Sequence, residues 1–382
     1  MKIGILTQPL FSNYGGILQN YALQKVLKDN GHETITLDWE VPQISMLHKL
    51  AIYVKVFLLN TIFGKKYRLP YWPTSSETET IESQTCKFID DHIVRTKKIT
   101  HKAGFLAAAN NEKINAFVVG SDQVWRLDYN IHFLTSMFLD FTQEKDVKRI
   151  AYAASFGTDS WSYSDEMTDL CKSYASRFDL ITVREDTGVK LCKEHLGVDA
   201  THVLDPTMLL NVSDYESLVT QDRVGKSDGN LFYYILDPSD EKCDFITKVA
   251  KITDYKPFTI MPKYQAENRT RRNIKNEIDK CVFPPVTLWL RAFMDAKMVI
   301  CDSFHGCVFS IIFHKPFWII GNKTRGNTRF DSLLKTFNLQ NRLISVNSHV
   351  DFNEQINWNE VESIRLRKSN ESIDLLLKVL CE

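Results

Sequence analysis

The sequence predicts an α/β protein of two Rossmann-like domains facing each other across a cleft, each a parallel sheet with helices on both faces. Three observations predict it. Short, wholly apolar runs recur along the chain, which is how strands read when both faces of their sheet are buried. Segments with helical spacing separate these runs, so neighbouring strands are joined by crossovers rather than hairpins. The alternation occurs twice, on either side of a polar stretch at Asn211–Asn230 that reads as a linker. At 382 residues the chain has room for such a pair, since a domain takes about 150 residues.

The elements run in order along the chain. Lys2–Thr7 (KIGILT) is a strand ending in a turn. In Ile17–Asn30, Ile17, Tyr21, Leu23, Val26 and Leu27 share one face of a helix, and Gly31 stops it. Thr34–Asp38 is the second strand. Residues 44–110 are helix-rich and basic in places, an insertion in the first domain. Ala116–Gly120 (AFVVG), Arg149–Ala154 (RIAYAA), Leu180–Arg184 (LITVR) and His202–Leu204 complete a domain over 1–210. The second domain, 225–345, repeats the style with Leu231–Leu236, Pro257–Met261, Met298–Cys301 and Phe317–Ile320. Residues 350–382 carry a last helix, about Trp358–Leu380, that is expected to pack back on the first domain.

Composition excludes several classes. Forty-seven basic residues balance 47 acidic ones, without the basic excess of a general nucleic-acid binder. Hydrophobic residues at 44% supply sizeable cores and rule out disorder as the main state. The opening MKIGILTQPL reads as strand and turn, not as a secretion signal. The eight cysteines are scattered with no C-x-x-C pair, which disfavours structural zinc and predicts buried thiols in a reducing cytosol. No metal site is expected. The most apolar long stretch, Ser45–Phe63, is interrupted by Lys49 and Lys55 and fails as a spanning helix, which leaves two readings of residues 45–69. These residues either bury an apolar face in the first domain or lie on a bilayer with basic groups at the headgroups.

Polar clusters directly after apolar strands are the candidate site, because ligands of open parallel sheets bind beyond the carboxyl ends of the strands. Asn13-Tyr14-Gly15-Gly16 opens the first helix, where glycines admit close approach of a ligand to the backbone. Ser121, Asp122, Gln123 and Trp125 come after AFVVG, and more polar groups gather there than a helix cap needs. Arg184 ends LITVR, placed either to grip a carboxylate or phosphate by its planar fork or to pair with Glu185, Asp186 or Asp205. Asp302, Ser303 and His305 come after MVIC. A histidine at a helix start beside Gly306 suits proton transfer near neutral pH. Lys323, Arg325 and Arg329 come after FWII as a candidate anion site. The basic set Lys263–Lys275 reads as solvated surface.

As a set these segments resemble the polysaccharide pyruvyl transferase family. The resemblance rests on TQPLFSNYGGILQNYALQ, FVVGSDQVW, AYAASFG, ITVREDTG with VLDPTMLL after it, CDSFHGCVFSIIFHKPF and RGNTRFDSLL, spread in order over residues 1 to about 335. It implies a GT-B-like fold. It implies transfer of the pyruvyl group of phosphoenolpyruvate, a co-substrate rather than a cofactor, to two hydroxyls of one sugar. The product is a cyclic ketal, and phosphate is released. It further implies a cytoplasmic bacterial enzyme of exopolysaccharide or capsule synthesis, free or peripheral at the inner membrane face, whose acceptor sugar belongs to a polysaccharide or its lipid-linked precursor. In the family, an Arg at a strand end and an Arg-x-His motif serve donor binding and acid catalysis. Arg184 matches the first and His305 the histidine, while Ser303 stands where the motif has Arg. The missing charge would then come from Lys323, Arg325 or Arg329. On this reading Asp122 or Asp302 accepts hydroxyl protons, and Asn13, Tyr14, Gly15, Gly16, Ser121, Gln123 and Trp125 bind the acceptor. A transferase using a nucleotide-sugar donor and a non-catalytic sugar-binding relative are the alternatives.

Overall fold

The computed structural model describes residues 1–382 apart from 43, 66, 68, 143–145, 267, 322–325 and 382. Among the described residues, eleven strands form two sheets. The first holds β1 (Lys2–Leu6), β2 (Glu33–Thr36), β3 (Ala116–Val119), β4 (Lys148–Ala154), β5 (Leu180–Val183) and β6 (Thr201–His202), in the order β2-β1-β3-β4-β5-β6. The second holds β7 (Leu231–Tyr234), β8 (Pro257–Phe258), β9 (Met298–Cys301), β10 (Phe317–Ile320) and β11 (Leu343–Ile344), in the order β11-β10-β9-β7-β8. Every pairing is parallel. Strands such as AFVV and MVIC are buried along their whole length, as helices on both faces require.

Strand order sets where a ligand can enter. In the first sheet it reverses between β1 and β3, and in the second between β7 and β9. At such a reversal the loops leaving the two strands diverge to opposite faces and open a crevice.

The two units share a continuous core. Tyr14, at the start of the helix Tyr14–Asp29, lies stacked on Trp289 of the second unit with ring centroids 5.7 Å apart, and its hydroxyl donates to the Pro284 carbonyl at 2.9 Å. The Phe283 amide donates to the Ile81 carbonyl at 2.9 Å. The helix Trp358–Cys381 lies on the first unit. There the Arg365 guanidinium donates to the carbonyls of Met208 and Leu210 at 2.9 and 3.1 Å, and the Ser372 hydroxyl accepts from the Leu204 amide at 3.3 Å.

Two elements differ from the sequence reading. The polar stretch 211–230 contains a helix, Val212–Gln221, that buries Tyr215, Leu218 and Val219. The Tyr215 ring meets Phe309 edge-on at 5.0 Å, so this segment is packed rather than free. The two-residue β11 is too short to leave a sequence pattern. The insertion holds helices Met46–Ile62, Ser75–His92 and Ala103–Asn111.

Cys171, Cys192, Cys281, Cys301 and Cys307 are buried free thiols. Burial pushes Cys171 and Cys192 up to about 12, which keeps them as inert thiols. Among the described residues, no helix is long and apolar enough to cross a membrane.

Candidate active site

Both strand-order reversals open into one cavity of about 500 Å³ between the units. The first sheet contributes Gln8 and Asn13 after β1, and Asp122 and Gln123 after β3. The second contributes Leu236 after β7, Asp302 to His305 after β9, and Arg329.

The wall on the first sheet is a buried charge cluster around Arg184. Its position depends on an irregularity in β4. Register with β5 shifts between Ala151 and Ala154, and Ala153 has φ 52°. The Thr182 hydroxyl bridges this bulge, accepting from the Ala153 amide at 2.9 Å and donating to the Ala151 carbonyl at 3.0 Å. A bulge re-aims the residues that come after it. Here Ser155 is turned to donate to Glu185 at 2.7 Å. The Arg184 side chain, 1% exposed, then lies 3.1 Å from Asp205, 3.3 Å from Glu185 and 3.5 Å from Asp122. The Phe304 ring covers the guanidinium at 4.2 Å. Burial alone would lower the Arg184 pKa, but the three carboxylates raise it above its ordinary value. Burial would likewise raise Asp205, yet His305, Arg184 and a hydrogen bond from Thr207 hold it far below the usual carboxylate range.

Asp122 has φ 73°, a left-handed conformation that Asp tolerates better than most residues. Its carboxylate accepts from the Asn13 amide at 3.3 Å, tying the loops after β1 and β3 together at the cavity.

His305 reaches this wall from the second unit. Its Nε2 lies 3.6 Å from Asp205 Oδ2, an ion-pair distance too long for a good hydrogen bond. The ring lies directly on Gly15, where a Cβ would overlap the imidazole. Gly15 thus serves the approach of the histidine. Arg329 completes this side. Among the described residues no acid lies within ion-pair distance of it. Burial and then the charge of Arg184 lower its pKa, against the opposing pull of Glu185 and Asp122. A second guanidinium near one already ringed by three carboxylates is a place where a bound anion relieves repulsion.

The structure separates the expected site residues. His305, Asp122, Asn13, Gln123, Asp302, Ser303 and Arg329 line the cavity. Four assignments are corrected. Tyr14 is fully buried and joins the two units, so it does not bind an acceptor. Trp125 is also core: it lies stacked on Phe138 at 4.8 Å and donates to the Met137 carbonyl at 3.0 Å. Ser121 is buried and donates to Asp205 at 2.8 Å. Arg184 is sealed in its acid cluster, so the ion-pair alternative holds and a donor anion does not reach its fork. Gly15 lies beneath His305, and a Cβ on Gly16 would meet the Asn13 side chain.

Asp302 and Ser303 line the cavity with their polar groups already engaged. Asp302 accepts from Lys242 at 2.6 Å and from the amides of Leu236 and Asp237 at 2.6 and 3.1 Å, which braces the loops after β7 and β9. Both of its carboxylate oxygens are thus engaged in this brace. Ser303 caps the helix Phe304–Ile312 through the Gly306 amide at 3.4 Å. Lys323 and Arg325 lie outside the described residues.

Asp205, Glu185 and Phe304 were not among the expected site residues. Asp205 had a signal: VLDP places an acid directly after the last strand of the first sheet. Phe304 had none, since an aromatic beside a catalytic candidate reads as core.

The fold and the cleft define a two-domain protein of the GT-B class. UGT89C1 of Arabidopsis thaliana, complexed with UDP-L-rhamnose, superposes with a TM-score of 0.53 at 10% identity, covering 99% of both chains. The UDP-GlcNAc 2-epimerase of Methanocaldococcus jannaschii gives 0.48 at 13% identity, covering 100% of this chain and 99% of that one. No curated protein matches the sequence. Residues 13–324 match the family model of the polysaccharide pyruvyl transferases, so the chain belongs to that family.

Proposed function

We propose that this chain is a ketal-forming transferase: it moves the pyruvyl group of phosphoenolpyruvate onto two hydroxyls of one sugar in a polysaccharide or its lipid-linked precursor, and releases phosphate. The observation that carries the reading is His305, held in the cavity between Gly15 and an ionised Asp205, with Arg329 on the same side and clear of every described acid.

The chemistry assigns a role to each group. Phosphoenolpyruvate is a carboxylate and a phosphate on one enol, so its site needs a cation not already neutralised. Arg329 is that cation. Protonated His305, 3.6 Å from Asp205, gives its proton to the methylene carbon. The neighbouring carbon becomes electrophilic, and one sugar hydroxyl adds to it. That hydroxyl's proton goes to Asp122. The C–O bond to phosphate then breaks, and the second hydroxyl closes the ring. Of the two hydroxyl protons, one replaces that given to the new methyl group and the other leaves with phosphate. A placed acid or base is worth about 10²–10⁴ in rate.

Phosphate release from phosphoenolpyruvate, measured over a panel of lipid-linked and free glycans, tests the proposal. Acceptor-dependent release with loss of both hydroxyls in the product is expected. Tight binding of a nucleotide sugar in the cleft, with no binding of phosphoenolpyruvate by calorimetry, would overturn it.

A further inference from the structure

The helix Met46–Ile62 turns large apolar side chains outward. On most surface helices the apolar stripe faces the protein and the polar face meets water. Here none of the 17 residues is buried. The half-buried flank is Lys49, Ile52, Val56, Leu59 and Asn60, spaced three and four apart. Lys49 reaches over the Trp72 ring at 5.8 Å, and Asn60 exchanges two 2.8 Å hydrogen bonds with the Tyr67 backbone. The opposite, outward face carries Met46, Leu47, Leu50, Val54, Phe57 and Leu58. Met46 and Leu47 are 84% and 80% exposed, and Phe57 is 63% exposed. That is a contiguous large apolar surface of the kind monomeric soluble proteins avoid.

Charge states what covers it. No Asp or Glu occurs between Glu40 and Glu77, whereas Lys49, Lys55, Lys65, Lys66 and Arg68 do. Lys55 and Lys65 are exposed beside the apolar face. An apolar face on a segment that carries cations and no acid is complementary to an anionic lipid surface, whose headgroups take the lysines while the acyl boundary takes the side chains. A second copy of the same face would bring like charges together.

We propose that the helix Met46–Ile62 docks the protein on an anionic membrane surface. The two ends of this excursion are rooted beside the cavity. Val41 lines it, and Tyr71 packs in a cluster with Phe283, which lines it too. Docking therefore holds the mouth of the cleft close to the bilayer. If the proposed pyruvyl transfer holds, an acceptor sugar carried on a membrane lipid reaches His305 without leaving the surface; the docking itself does not depend on that reading.

Co-sedimentation of the full chain with vesicles tests it. Wild type is expected to sediment with phosphatidylglycerol–phosphatidylcholine vesicles at low salt and to stay in the supernatant with phosphatidylcholine alone. Leu50→Glu with Phe57→Glu should abolish sedimentation. Lys55→Gln with Lys65→Gln should weaken it about 25-fold, at about fivefold per surface lysine. Phosphoenolpyruvate affinity should be unchanged in all of these variants, which separates failure of docking from failure of the pyruvyl reading. Wild type remaining in the supernatant with anionic vesicles would overturn the proposal. So would self-association in analytical ultracentrifugation that Leu50→Glu abolishes, since a second copy would then cover the face.

Discussion

On the first-domain wall of the cleft, Arg184 lies among three carboxylates and under the Phe304 ring. On the second-domain wall, Arg329 has no acid within ion-pair distance among the described residues, and His305 only approaches one. The same residue type thus does two jobs. A sealed guanidinium needs its acids, because a buried unpaired charge costs several kcal/mol, on the order of its desolvation. Its fork is then closed to ligands, and it fixes the geometry of Asp122, Glu185 and Asp205. The second arginine keeps its guanidinium open to the cavity, and the histidine stands 3.6 Å from its nearest acid. The first wall holds Asp122 at the cavity within a fixed charge cluster, and the second brings His305 and Arg329 to face it.

The sharpest way to test that contrast is at His305. His305→Gln should lower turnover by about 10²–10⁴ and leave the urea unfolding midpoint nearly unchanged. Gly15→Ala should imitate it in milder form, by about 10², because the new methyl group displaces the imidazole. A Gly15→Ala enzyme with wild-type turnover would show that the imidazole need not sit on that backbone.

The two arginines should separate next. Arg184→Ala leaves three buried carboxylates without their cation and should cost about 3–5 kcal/mol in denaturant unfolding. Arg329→Ala removes a desolvated charge with no acid at ion-pair distance among the described residues, so it should not lower stability. It should weaken phosphoenolpyruvate binding about tenfold or more, the worth of a charge-assisted hydrogen bond. Equal stability losses in the two variants would erase the distinction between the two arginines.

The smallest effect is in acid. Asp205 titrates lower in the folded chain than its ordinary value near 3.9 in an unfolded one. Its contribution is therefore fully present above about pH 4 and is lost as pH falls below that toward the folded value. Asp205→Asn should flatten the acid limb of stability against pH by about one proton, a slope of about 1.4 kcal/mol per pH unit at most. An unchanged acid limb would mean that Asp205 is not held ionised by this cluster.

Most of the fold was legible because strands buried on both faces leave continuous apolar runs. Met298–Cys301 and Phe317–Ile320 occupy the same residues in the sequence reading and in the structure. The helix at 212–221 was not, since only Tyr215, Leu218 and Val219 mark it among polar neighbours. At the site, position after a strand was a good guide to which loops meet in the cavity. It could not separate a side chain that turns toward the cavity from one that turns beneath it. Asp122 and Ser121 are adjacent, yet one lines the cavity and the other is buried against Asp205. Trp125 was misjudged for the same reason, because a few residues past the strand the chain has already turned into the core.

The helix Trp358–Cys381 has a consequence for how the chain comes to be folded. It satisfies the carbonyls of Met208 and Leu210 and meets the Leu204 amide, all in the first unit, yet it is synthesised after the whole of the second. During translation the first sheet must therefore wait, with that surface uncovered, until the ribosome has passed residue 372. The two halves look like modules in space, but in time they are interleaved. Cutting the gene between them would give two fragments that each lack part of the other's surface, not two smaller proteins.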